Sequence, residues 1–295
     1  MNSYILSCCS IVDLTPEHLE ERHIVFAPFH YTLNGKEYVD DMGQTVSASD
    51  FYKAMSDGAD VSTSQINVEE YCAYFRSFLE KGHDVLHITL SSGLSGSYNS
   101  ARIATEMMRE EFPDRKLYVI DSLAASAGAG LFVDTLADRR DSGDDIDTLY
   151  QWAESHKLNM HHWFTASDLT WFVKGGRVSK AAGWFGTALK ICPVLNVDNQ
   201  GRLIPRFKIR GKHNALKELV HQMEEHADGG KEYSGKCYIS NTASYDDARF
   251  VADEIEKRFP RLSEPVKITN IGTTIGSHCG PGTIALFFWG DTRIN

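Results

Sequence analysis

The chain has 295 residues, of which 42% are hydrophobic and 24% charged, so wholesale disorder and a fibrous repeat are excluded. That length suits about two domains of ordinary size. Forty acidic against thirty basic side chains give a formal charge of −10, which repels phosphate backbones and excludes nucleic acid as an expected partner. In chain order, the first marked feature is a hydroxyl-rich turn at residues 60–65 that leads into a helix starting near Val68. Residues 85–90 read as a buried strand, broken by a serine- and glycine-rich loop at 91–97 and followed by a helix over 100–112. A second strand at 117–120 ends in Asp121-Ser122, and the small-residue run 124–130 opens another helix. Strand, turn and helix units of this kind predict a mainly parallel sheet.

Residues 141–145 form a polar break, after which an amphipathic stretch runs to His156 and an apolar run occupies 162–165. This places a boundary near residue 160, between an N-terminal α/β lobe (1–160) and a C-terminal α/β lobe (161–295). In the second lobe, residues 191–197 and 202–207 flank Asp198-Asn199-Gln200-Gly201 as a β-hairpin. Helices over 214–226 and 245–259 and strands over 236–240 and 266–270 follow, so the second sheet is predicted to be mixed. The apolar run 284–289 is far short of the roughly 20 residues a bilayer span needs. Residues 1–8 lack the basic and apolar regions of a signal peptide. Cys8, Cys9, Cys72, Cys192, Cys237 and Cys279 contain no Cys-x-x-Cys pair, and a cytoplasmic protein with no integral membrane association is expected.

Four segments can carry chemistry. Ser91, Ser92, Ser95 and Ser97 supply neutral donors where an open α/β sheet binds ligands, while Gly93 and Gly96 admit a close backbone approach. A helix cap explains one of these serines, but not all of them. Thr63, Ser64 and Gln65 likewise offer more donors than one cap uses. His278 sits in a glycine-rich turn, residues 273–283, which suits a ligand or a close backbone contact. Residues 174–180 are basic and flexible, and Arg177 fits either a phosphate clamp or a structural turn paired with a carboxylate.

Gly128-Ala129-Gly130 does not complete a dinucleotide fingerprint because Val133 follows, and no P-loop exists. No metal is expected, since His161-His162 and the cysteines match no zinc-ligand spacing. Gly93-Leu94-Ser95-Gly96-Ser97 misses the nucleophile elbow by one residue, though the order Ser95, Asp121 or Asp168, His278 keeps a serine hydrolase or esterase open.

Taken together, Thr63-Ser64-Gln65, the loop 90–101, Asp121-Ser122, the turn 174–180, Arg210-Gly211 and the segment 278–283 resemble the bacterial DegV family of fatty-acid-binding proteins over nearly the whole chain. The resemblance implies two α/β lobes with an apolar tunnel between them. It implies a long-chain fatty acid as ligand, its carboxylate held by Thr63, Ser64, Ser92, Ser95 and His278, with Arg177 a secondary contact. It further implies no cofactor and no catalytic group. The cargo would pass to a fatty acid kinase for acyl-phosphate formation, a lipid-transport role in phospholipid metabolism. Carriage of another amphipathic anion is the remaining alternative. Two positions depart from the family pattern, Cys9 where an aspartate is usual and Cys192 where a lysine is usual, so the first removes a polar group expected near the headgroup.

Overall fold

The computed structural model describes residues 4–179 and 191–294. The first sheet contains β1 (Tyr4–Cys9), β2 (Ile24–Ala27), β6 (Asp84–Thr89) and β7 (Leu117–Asp121), all parallel and ordered β2-β1-β6-β7. β1 and β6 are buried almost throughout, as central strands covered on both faces must be. The helices α1 (Pro16–Glu21), α3 (Val68–Leu79), α4 (Ser97–Glu111), α5 (Ser126–Asp141) and α6 (Ile146–His156) accompany it. Asn67 and Glu70 close a reciprocal capping box at the start of α3, satisfying two orphan N–H groups.

The second sheet has six strands: β8 (Met160–Ala166), β9 (Ile191–Val197), β10 (Leu203–Arg210), β11 (Tyr238–Asn241), β12 (Lys267–Asn270) and β13 (Thr283–Trp289). Their order is β10-β9-β8-β13-β11-β12, and only β11 and β12 pair in parallel. The expected hairpin is present as β9 and β10, with a bulge between Pro205 and Phe207. The helices α7 (Thr170–Lys174), α8 (Lys212–His226), α9 (Tyr245–Arg258) and α10 (Thr273–Cys279) complete this part. Lys180, the last residue of the basic turn, lies outside the described residues.

α5 runs between the two sheets and is buried nearly all round, which explains its run of small residues. A Cβ on Gly128 would lie 2.3 Å from Nε2 of His162, and one on Gly130 would lie 2.3 Å from the carbonyl oxygen of Val12. The glycine pair is a packing device and not part of a nucleotide motif.

Two expectations need correction. Residues 61–64 are not a turn but strand β5 (Val61–Ser64), which joins β3 (His30–Leu33) and β4 (Lys36–Val39) in a small antiparallel sheet backed by α2 (Ala48–Ser56). His278 is not in a turn either but in the last turn of α10, which Gly280 terminates at φ +67°. Among the described residues, no helix is long and apolar enough to cross a membrane.

Candidate functional site

A cavity of about 530 Å³ opens where β5, the loop after β6, α7, α10 and the inner face of the second sheet meet, within the ~300–1,000 Å³ usual for small-molecule sites. Phe164, Phe172, Leu203 and Phe287 supply much of its apolar wall. Four polar side chains also face it, but their polar atoms are already engaged. Ser126 donates to Asp13, Thr274 to Asp40, and Thr283 to the Cys279 carbonyl. His162 donates through Nδ1 to the Met160 carbonyl and accepts the Ala125 N–H on Nε2. Burial holds its pKa well below the ordinary histidine value, so the ring is neutral. The interior therefore behaves as an apolar chamber.

The uncommitted hydrogen-bonding capacity gathers at one end, where Thr63, Ser64, Gln65, Ser95, Arg177 and His278 line the wall. His278 Nε2 lies 2.8 Å from Thr63 Oγ1, and its Nδ1 lies 3.4 Å from an Arg177 guanidinium nitrogen. Arginine can only donate, so Nδ1 is the acceptor and Nε2 carries the ring hydrogen. That hydrogen is donated to Thr63 Oγ1, which leaves the threonine hydroxyl hydrogen to turn toward an anion in the cavity. Burial first, and the Arg177 charge second, bring the His278 pKa down to about 4; the imidazole is neutral at physiological pH. Arg177 also donates to the carbonyls of Leu94 and Gly175. A Cβ on Gly175 would stand 2.4 Å from His278 Nδ1, so the bare backbone there is what admits the imidazole.

In the serine loop, Ser95 Oγ accepts the Ser97 N–H at 3.2 Å, leaving its own hydroxyl hydrogen available. Gln65 reaches Ser100 through Nε2, and Gly96 sits so close to it that a Cβ would fall 2.5 Å from Gln65 Oε1. The serine loop is braced from below by the Ser91 hydroxyl, which donates to the Gly201 carbonyl of the β9–β10 turn.

Thus Thr63, Ser64, Ser95, Arg177 and His278 come together, whereas Ser92 does not. Ser92 is exposed, is absent from the lining, and donates its N–H to Asp121. Cys9 lies behind the serine loop, 3.3 Å from the Tyr71 hydroxyl and 3.6 Å from His87 Nε2, and burial pushes its thiol up to about 11. Cys192 is buried on β9 and does not line the cavity. Nor are the parts of a hydrolase assembled. The described partners of His278 include no carboxylate, while Asp121 accepts from Ser92 and Leu123 and Asp168 from Thr170. Sequence reasoning missed Phe164, Phe172 and Phe287 as lining residues; alternation along β8 and β13 is the signal that carries two of them.

An α/β scaffold of two large sheets and a small third one, enclosing an apolar chamber with neutral donors and one arginine gathered at its end, defines a binding protein for amphipathic anions. The DegV family model, described as uncharacterised proteins, matches residues 10–291, and the chain belongs to this family. A DegV domain-containing protein of Clostridium perfringens is 32% identical over 293 residues, 99% of each chain. A Thermus thermophilus DegV family protein described for its fatty acid binding is 25% identical, with a TM-score of 0.86 over 99% of this chain and 100% of that one. The fold is also that of a Streptococcus pneumoniae fatty acid kinase B3 protein loaded with linoleic acid, 20% identical, with a TM-score of 0.83 over 98% of this chain and 100% of that one.

Proposed function

We propose that this chain binds a long-chain fatty acid, with its acyl chain in the apolar chamber and its carboxylate against Thr63, Ser64, Ser95 and His278. The observation that carries this reading is the Arg177–His278–Thr63 relay at the end of a chamber whose other polar atoms are engaged. Burying an acyl chain of about 16 carbons at ~0.8 kcal/mol per CH₂ contributes on the order of 10 kcal/mol before the costs of association. A few hydroxyl donors then suffice for the headgroup. Arg177 lines the same wall beside His278 and adds positive potential there.

The chain is a carrier and not a catalyst in this reading, and the acid it holds is handed to a fatty acid kinase for conversion to an acyl phosphate. The name of the pneumococcal relative supports that partnership. Lobes 1–160 and 161–295 close on the ligand, with α10 returning from the second to the headgroup. Six free, buried cysteines support a cytoplasmic setting.

Mass spectrometry of the purified chain, native and then after organic extraction, tests the binding. One fatty acid per chain is expected. An empty protein that also fails to take up added palmitate or oleate sinks the proposal, and covalent labelling of Ser95 by a fluorophosphonate would favour a hydrolase instead.

A further inference from the structure

We propose that His161, His226 and Asp291 form a binding site for a divalent transition-metal ion of the zinc type, on the face of the six-stranded sheet opposite the cavity. Alternation along β8 separates the two sites. His162 and Phe164 face the chamber, so His161 and Trp163 project from the other side, where Trp163 packs in the core beneath α8.

The three ligands come from three elements. His161 is on β8, His226 ends α8, and Asp291 follows β13. Their ligand atoms all lie within 4.8 Å of one another. Oδ1 of Asp291 is 2.9 Å from His161 Nε2 and 3.2 Å from His226 Nδ1. A tetrahedral zinc ion with bonds of about 2.0–2.1 Å sets its ligand atoms about 3.3 Å apart. The two imidazole rings are stacked, with centroids 5.0 Å apart and planes 19° from parallel.

The backbone is shaped to hold the trio together. Asp291 N–H donates to the His226 carbonyl at 3.0 Å, and Gly290 N–H to the Asn159 carbonyl at 2.8 Å. A Cβ on Gly290 would lie 2.2 Å from the His226 oxygen and 2.9 Å from the His161 ring, so only glycine lets the segment carrying Asp291 press this close. Aromatic contacts fix the rings: His161 lies against Phe288, and His226 against Trp163.

Two nitrogens and one carboxylate oxygen suit Zn²⁺, Co²⁺ or Ni²⁺, whereas Mg²⁺ and Ca²⁺ take oxygen ligands. Three protein ligands leave a fourth position to water. His161 Nε2 lies 2.9 Å from the Asp291 carbonyl oxygen, which can only accept, so this nitrogen carries the ring hydrogen. Without metal, its Nε2–H is shared between the carbonyl and carboxylate of Asp291. On binding, the ion takes the place of that hydrogen and the ring becomes the Nδ1–H tautomer, so the imidazole neither gains nor loses a proton.

The full chain, stripped with EDTA, is titrated with zinc chloride by calorimetry and with Co²⁺ by visible absorption. One ion per chain, a tetrahedral cobalt spectrum and no uptake of Mg²⁺ are expected. Asp291→Asn and His226→Asn each weaken zinc binding by more than about tenfold, while fatty acid uptake is unchanged in both. Circular dichroism on the same samples confirms that each variant is folded. No zinc uptake, or equal uptake by the parent and both folded variants, overturns the assignment.

Discussion

His278 Nε2 and Thr63 Oγ1, 215 positions apart in the chain, meet at 2.8 Å. The contact joins α10 to the small antiparallel sheet and orients the threonine hydroxyl into the cavity. Because the imidazole is held neutral by burial and by Arg177, it acts as a donor of fixed direction and not as a titrating charge. Thr63→Val keeps the shape and removes the hydroxyl, so fatty acid affinity should fall by about 1.5–3 kcal/mol, the worth of a hydrogen bond to a charged group. A fluorescent fatty acid displacement assay reads this directly; an unchanged Kd would remove Thr63 from the headgroup site.

Gly175→Ala tests the same relay from behind. The new methyl would start 2.4 Å from His278 Nδ1 and 3.2 Å from the Trp171 carbonyl oxygen, and relief requires the imidazole to leave its place. Overpacking of this kind costs about 1–3 kcal/mol. The expected pattern is a loss of affinity close to that of Thr63→Val with a modest drop in Tm. Full affinity in the alanine variant would mean that the imidazole position does not matter.

The buried strands were legible as short, nearly continuous apolar runs, as in residues 85–90, and the long helices because their apolar residues follow period 3.6, as in residues 245–258. The small antiparallel sheet was not, since β4 is largely exposed and β5 consists of hydroxyl residues after Val61. One signal for it existed: Asn34-Gly35, with φ of 51° and 77°, is the residue pair that two-residue hairpin turns favour. Likewise, glycines around His278 suggested a turn, but Gly276 is there for packing. A Cβ on it would lie 2.3 Å from the Tyr52 hydroxyl, and α10 needs that gap to lie on α2. The headgroup residues were legible by type, whereas Ser92 and Ser95, three positions apart, could not be told apart without knowing which one the loop turns inward.

Asp134, on α5, ties that helix to α1 and to the start of β11. It is buried and accepts from His18 at 2.9 Å, Lys236 at 2.5 Å and Tyr238 at 2.8 Å. Burial would raise its pKa, but the donors outweigh it and hold the carboxyl well below the usual range. Its contribution is therefore present above the unfolded carboxylate pKa of about 3.9 and is lost as pH falls below that value. Asp134→Asn should cost about 3 kcal/mol at pH 7 in urea unfolding, with the gap to the parent closing in acid. A constant gap down to pH 2 would mean that packing, not charge, holds this junction.

Asp13 behaves in the opposite sense. Burial pushes its carboxyl up to about 7, against hydrogen bonds from Ser126 and the Gly272 N–H. The folded chain thus keeps a proton that the unfolded chain, with a carboxylate pKa of about 3.9, gives up at lower pH. The stability from this group is complete below pH ~4 and is lost as pH rises toward 7, at no more than about 1.4 kcal/mol per pH unit. Asp13→Asn cannot ionise, yet its carbonyl can still accept from Gly272. The variant should therefore show a flatter stability profile between pH 4 and 7 and be more stable than the parent at pH 8. Ser126 lines the cavity and its hydroxyl is oriented by this carboxyl, so the profile is best measured on both the empty and the loaded chain. An equal slope in parent and variant would place the titrating group elsewhere.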